Sequence, residues 1–139
     1  PLLKPPYRRI TAIDLNTGNH VWQAPLGKGP KDHPAIEHLN LGDLGTVFND
    51  VVAEGGVLVT KSLVISYLAS KDEIGPEETG SILVAFDKAT GRKEGQVIVD
   101  QRLHGPIMSY QHEDKQYIAV AGGGRDKDDE LLVFALSEK

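Results

Sequence analysis

The sequence has no cysteine. Disulfides and thiolate metal sites are therefore excluded, and the redox compartment is left open. Nor is there a run approaching the roughly 18 apolar residues of a membrane-spanning helix. Basic residues are the minority, 15 Lys and Arg against 20 Asp and Glu, for a net charge of −5. Phosphate binding needs clustered Lys and Arg, so a broad nucleic-acid footprint is excluded as a partner surface. Aromatic residues are only 6% of the chain, with a single Trp at position 22. The chain opens on Pro1, with no basic-then-apolar leader, and is expected to be processed or cut from something longer. What is present is ordinary for a globular protein: 139 residues, 40% hydrophobic and 25% charged. That balance argues against wholesale disorder, and the length suits one domain.

Fifteen glycines and eight prolines punctuate short β-rich runs. Nine strands are predicted, over 9–15, 20–24, 57–60, 63–67, 82–87, 96–99, 106–110, 116–121 and 131–136. No window carries a 3.6-residue apolar period, and the only helix candidate is 35–39, after Pro34. The class is all-β. Long connections are expected at 27–49, 70–80 and 122–130; loops of this length are either functional or solvated connectors.

An internal repeat organises the strands. Residues 11–18 and 84–91 both fit Ala-x-Asp-x-x-Thr-Gly, carried by Ala12, Asp14, Thr17 and Gly18 and by Ala85, Asp87, Thr90 and Gly91. Each copy sits at the end of a strand. The pattern is that of a tight hairpin, in which Asp accepts hydrogen bonds from the turn amides and Gly takes the positive φ that closes it. Repetition of such a unit implies stacked sheets. In the first copy Trp22 follows, while Gly95 holds the corresponding place in the second.

The set Ala12, Gly18 and Trp22 resembles the tryptophan-docking motif of eight-bladed quinoprotein propellers, in which the Trp stacks flat on a neighbouring blade. Trp22 is thus expected to be structural and largely buried. The likeness extends along the chain. The run from Lys4-Pro5-Pro6-Tyr7 to Thr17-Gly18 resembles pyrroloquinoline-quinone (PQQ)-dependent glucose dehydrogenases. So do Asp32-His33-Pro34-Ala35, Leu39-Asn40-Leu41 and Gly55-Gly56-Val57-Leu58-Val59-Thr60-Lys61. Met108-Ser109-Tyr110, Lys115-Gln116-Tyr117 and Ala121-Gly122-Gly123 are similar to the family's closing region.

The resemblance implies about two four-stranded antiparallel blades from the C-terminal end of a propeller. Residues 1–26 would be the outer half of one blade, 55–100 a full blade and 105–137 three strands of the last. It further implies PQQ with calcium as cofactors of the full-length protein, a sugar or alcohol substrate oxidised by hydride transfer to the quinone, and a periplasmic location. The partners it implies are the remaining propeller blades, from the same full-length chain or from other copies. The family's catalytic base and calcium ligands have no counterpart motif here, so no catalytic or metal residue is carried over.

Two residues are candidate cofactor contacts. Asn49 either closes a turn or corresponds to a family Asn on the quinone; residues 50–54 stretch the spacing to Gly55-Gly56. Arg125 either is a solvated charge or meets a cofactor carboxylate through its planar guanidinium. Gly124 stands where sugar dehydrogenases of this kind often carry a His. Asp72 echoes a family Asp, but across an insertion.

Other chemistries fail on their patterns. Gly122-Gly123-Gly124 lacks the Gly-x-Gly-x-x-Gly spacing and a following helix. Asp126, Asp128, Asp129 and Glu130 lack the 12-residue calcium-loop pattern and read as an acidic turn. His33 and His38 have no third ligand at metal spacing, and His20, His104 and His112 are scattered. The two readings carried forward are part of a quinone-dependent dehydrogenase and a non-catalytic binding or scaffolding propeller.

Overall fold

The computed structural model describes residues 4–46, 56–69, 80–124 and 127–135. It forms three antiparallel sheets, each a simple meander. The first pairs β1 (Arg9–Ile13) with β2 (His20–Pro25). The second runs β3 (Val57–Val59), β4 (Leu63–Ala69), β5 (Ser81–Asp87) and β6 (Lys93–Val99). The third runs β7 (Arg102–His112), β8 (Lys115–Gly124) and β9 (Lys127–Ala135). The one helical element among the described residues is a 3₁₀ turn at Glu37–Leu39, at the end of the expected 35–39 segment. The all-β architecture is that of a propeller segment.

The middle sheet is covered on both faces, which explains why β4 and β5 read as continuous apolar runs instead of alternating. Along β4, Val64 and Leu68 point to one side. They join Ile82, Val84 and Phe86 of β5, Ala24 of the first sheet and Leu26 just after it. Ile65 and Tyr67 point to the other side, with Leu83 and Val99, and meet Leu103, Ile107 and Val120 of the third sheet. The core is therefore two seams, one on each face of the middle sheet.

Several boundaries depart from the sequence expectation. β1 stops at Ile13, because Asp14 already belongs to the turn. β6 begins at Lys93, not at 96, because Lys93 pairs with Phe86 across the hairpin while its side chain stays in solvent. β7 extends over Arg102–His112, beyond the expected 106–110. The 122–130 segment is largely strand: Gly122 pairs with Glu130 and Gly124 with Lys127. The acidic turn is thus corrected for Asp128, Asp129 and Glu130, which lie in β9. Glycine suits this pairing, since a Cβ on Gly122 would sit 2.6 Å from a Leu132 methyl and one on Gly123 would collide with Asp129.

The long connection after β2 is closed at its stem. Leu44 N–H donates to Lys28 O, Gly45 N–H to Gly27 O and Thr46 N–H to Leu26 O, at 2.9, 3.0 and 2.9 Å. Leu26 and Leu44 are buried there. The excursion between them returns to its starting point and leaves the edge of the first seam sealed.

Candidate functional site

The strand directions sort the connections onto two ends of the sheets. At one end lie the tight turns at 14–19, 60–62, 87–92 and 113–114. At the other end lie the strand termini Pro25, Val57, Ala69, Ser81, Val99, Arg102, Gly124 and Lys127.

The tight-turn end has a structural role. In the first repeat copy Asn16 N–H donates to Asp14 Oδ1 at 2.8 Å. In the second, Thr90 N–H and Oγ1–H both donate to Asp87 Oδ1, at 2.8 and 2.7 Å. Both carboxyls are held below their ordinary range. For Asp14 the main cause is the Asn16 backbone N–H; for Asp87 it is the Thr90 hydroxyl. Gly18 and Gly91 each close their turn at φ +73°.

The two copies also meet each other. Trp22 Nε1–H donates to Lys88 O at 2.9 Å. Its ring lies over Gly91, where an added Cβ would be 2.5 Å from Cε3 and 2.6 Å from Cδ2. The docking expected of Trp22 is therefore present, and its acceptor is the second copy of the repeat. The expected burial is corrected: Trp22 is half-buried, because its ring caps the outer edge of the first seam instead of filling the middle.

At the other end, the second and third sheets approach through backbone. A Cβ on Gly56 would lie 2.9 Å from Ile107 N and 3.1 Å from Gly105 O, so only glycine permits the approach. β7 bulges there: His104 pairs with Ala121 and Met108 with Ala119, and Gly105 turns at φ +74°. Two side chains of β4 flank the contact, Tyr67 bonding across to the third sheet and Ser66 bonding within its own. Tyr67 O–H donates to Gly105 O at 2.8 Å and Ser66 O–H to Gly56 O at 3.1 Å. Ser81 Oγ accepts from Leu103 N–H at 2.9 Å, joining the start of β5 to the start of β7.

A polar rim lines this end. Gln101 Nε2–H donates to Glu130 Oε2 at 2.8 Å, and His104 Nε2 stands 3.5 Å from Asp129 Oδ1. Gln101 Oε1 and Thr46 Oγ1 are buried without a hydrogen-bond partner among the described residues. Sequence spacing gave no sign of the rim, because Gln101 and Glu130 are brought together only by the pairing of β7, β8 and β9. Asn49 and Arg125 lie outside the described residues, as do Asp72 and Asp126. His33 serves its own loop, its Nδ1 accepting from Ala35 N–H at 3.2 Å.

The rim carries groups of both signs. Carboxylates of Asp129 and Glu130 face it, Arg8 donates from Nη2 to Tyr67 O at 3.4 Å at the same end, and its buried unpaired atoms among the described residues are an amide oxygen and a hydroxyl. Among the described residues no three His, Asp or Glu side chains converge as a metal site. No helix among them is long and apolar enough to cross a membrane.

Comparison with known proteins places the chain. It is 30% identical over 142 residues to the glycerol dehydrogenase large subunit of Gluconobacter oxydans, covering 97% of this chain and 17% of that protein. It is 28% identical over 145 residues to a probable quinate dehydrogenase (quinone) of Xanthomonas campestris, covering 99% of this chain and 17% of that protein. A quinate/shikimate dehydrogenase (quinone) of Acinetobacter baylyi is 27% identical over 144 residues, covering 99% of this chain and 16% of that protein. The chain thus spans about one-sixth of the length of these curated relatives. No solved structure matches it convincingly. The family model described as the glucose/ethanol/alcohol dehydrogenase β-propeller domain matches residues 1–118, and the chain belongs to this PQQ family.

Proposed function

We propose that the chain is part of a quinoprotein dehydrogenase that oxidises a hydroxyl group of a polyol or related alcohol, with PQQ as electron acceptor. Oxidation of an alcohol to a carbonyl releases two electrons and two protons, and an ortho-quinone takes up both on becoming the quinol. The observation that carries the reading is the family match over residues 1–118. The relatives are named for glycerol and quinate, both polyhydroxy compounds, which supports a polyol or related alcohol as the class of substrate.

In this reading residues 1–26, 55–100 and 105–137 belong to three successive blades, and the missing contacts come from the remaining blades. A calcium ion, a catalytic base and a periplasmic location belong to the whole protein. The role of the chain's own residues is positioning. The Tyr67–Gly105 hydrogen bond ties β4 to β7, the Ser66–Gly56 bond fixes the residue that precedes β3, and the rim of Gln101 and His104 borders the proposed cofactor end. Asn49 and Arg125 remain candidate cofactor contacts.

A second reading, a non-catalytic binding propeller, is favoured by one observation. Gly124 stands where such sugar dehydrogenases often carry a His. A dye-linked dehydrogenase assay on the full-length protein, loaded with PQQ and calcium, separates the two. Dye reduction with glycerol or quinate is expected. Failure to bind PQQ, or bound PQQ with no turnover on glycerol, quinate or glucose, overturns the dehydrogenase reading.

A further inference from the structure

The third sheet meets the second through its first strand, since β7 lies against β3 and β4. Sheets stacked radially around a channel converge toward it, so β7 is the strand of the third sheet nearest the axis. It starts, at Arg102, on the end of the sheets where the proposed cofactor would sit. His104 stands in that first stretch of β7.

Three features of the fold aim its ring. The first is the bulge that begins beside it. His104 pairs with Ala121 and Met108 with Ala119, so β7 advances four residues while β8 advances two. Bulges re-aim neighbouring side chains and are frequent next to active sites. The second is the pin on that bulge. Tyr67, 3% exposed, donates its O–H to the O of Gly105, the residue after His104. The third is the floor. A Cβ on Gly123 would collide with Asp129, so glycine in β8 lets the Asp129 carboxylate of β9 lean across toward β7. There Asp129 Oδ1 stands 3.5 Å from His104 Nε2.

The His104 side chain remains 44% exposed, and its Nδ1 has no hydrogen-bond partner among the described residues. A carboxylate facing Nε2 favours the tautomer with its proton there, which leaves Nδ1 as an acceptor. An acceptor nitrogen held near the axis suits a hydroxyl donor. We infer that His104 is a substrate-binding residue of the proposed dehydrogenase. Its Nδ1 accepts a hydrogen bond from a hydroxyl of the polyol other than the one oxidised. Asp129 is a positioning residue that acts through the imidazole. The inference rests on the dehydrogenase reading. A contact to a hydroxyl that does not react is made alike in ground state and transition state, so it is read in KM and not in kcat.

The test is steady-state dye-linked kinetics of the full-length protein loaded with PQQ and calcium, on glycerol, quinate and glucose. On the substrate oxidised, His104→Ala should raise KM roughly ten-fold, the worth of one hydrogen bond. Its kcat should stay within about two-fold, with bound PQQ unchanged by absorbance. His104→Gln, whose amide oxygen can still accept, should recover most of the loss. Asp129→Asn should raise KM less, and should add nothing in the His104→Ala background. If His104→Ala does not fold, His104→Leu carries the same expectation. An unchanged KM in the folded variant overturns the assignment. So does a loss confined to kcat or to bound PQQ, which would make His104 a structural tie. No turnover of any of the three by the unmodified protein overturns the dehydrogenase reading itself, and the assignment with it.

Discussion

Trp22 of the first repeat copy lies flat on Gly91 of the second and donates its ring N–H to Lys88 O at 2.9 Å. One copy of the turn is thus the receptor for the residue that follows the other. The contact joins two hairpins 66 residues apart in the chain, from Trp22 to Lys88. A wide rigid ring suits this task, because it covers much area while freezing few rotors.

Removal of the ring measures the lock. A fully packed aromatic costs about 3–5 kcal/mol on truncation to Ala, and the half-buried Trp22 should cost less, about 2 kcal/mol. Denaturant unfolding of Trp22→Ala in the full-length protein checks this. Unchanged stability would show that the ring does not hold the sheets together.

Gly91 and Gly18 offer an internal control. Both have φ +73°, so an Ala at either place carries the same left-handed strain, about 1–2 kcal/mol. Only at Gly91 does the added Cβ also strike the Trp22 ring; at Gly18 it meets nothing within 4 Å. Gly91→Ala should therefore be the more destabilising of the two. The difference should disappear in a Trp22→Ala background, as a double-mutant cycle would record.

Ser81 is 1% exposed, and its hydroxyl oxygen is the acceptor for Leu103 N–H at 2.9 Å. Ser81→Ala leaves that N–H unsatisfied in the second seam, at a cost of about 1–3 kcal/mol. Faster hydrogen exchange at Leu103 in the variant would report the broken link directly.

The turn carboxylates give a pH dependence with a defined sign. The Thr90 hydroxyl, followed by the Thr90 N–H, lowers the pKa of Asp87; the Asn16 N–H does the same for Asp14. A carboxyl depressed in the folded state contributes stability that is present above its ordinary value near 4 and is lost as the pH falls through the folded pKa. Melting temperature should thus fall below about pH 4, and less steeply in Asp87→Asn. An identical slope in the variant would show that the turn hydrogen bonds do not favour the ionised form.

The 139-residue chain by itself should not oxidise glycerol, quinate or glucose, even with added PQQ and calcium. Among its described residues no three potential metal-binding side chains converge. Catalysis of this kind depends on base, metal and substrate being held together, and effective molarity collapses when one is absent. Dye-linked turnover by a proven monomer of the chain would contradict this.

The sequence was legible where local rules decide. Asp14, Asp87, Gly18 and Gly91 announced two matching turns, and both formed with the expected hydrogen bonds and positive φ. Strand ends were less legible. Lys93 and Asp128 carry charges that read as loop, yet both are in strands, because their partners Phe86 and the β8 backbone supply the ladder. Neither candidate cofactor residue, Asn49 or Arg125, falls within the described part of the structure, and no spacing rule pointed to Gln101, His104, Asp129 and Glu130 as one rim.

By itself the sequence determined the all-β class, the repeated turn and the structural role of Trp22. Each follows from a residue's own conformational preference or from a short pattern: glycine at positive φ, an Asp facing turn amides, β-branched runs between breakers. Only the tertiary structure decided what Trp22 rests on, that Gly56 must lack a side chain beneath Ile107, and that Tyr67 reaches Gly105 O of the next sheet. Those features depend on which faces of separate sheets come together. Contact between distant segments is set by packing over the whole seam, and no local pattern encodes it.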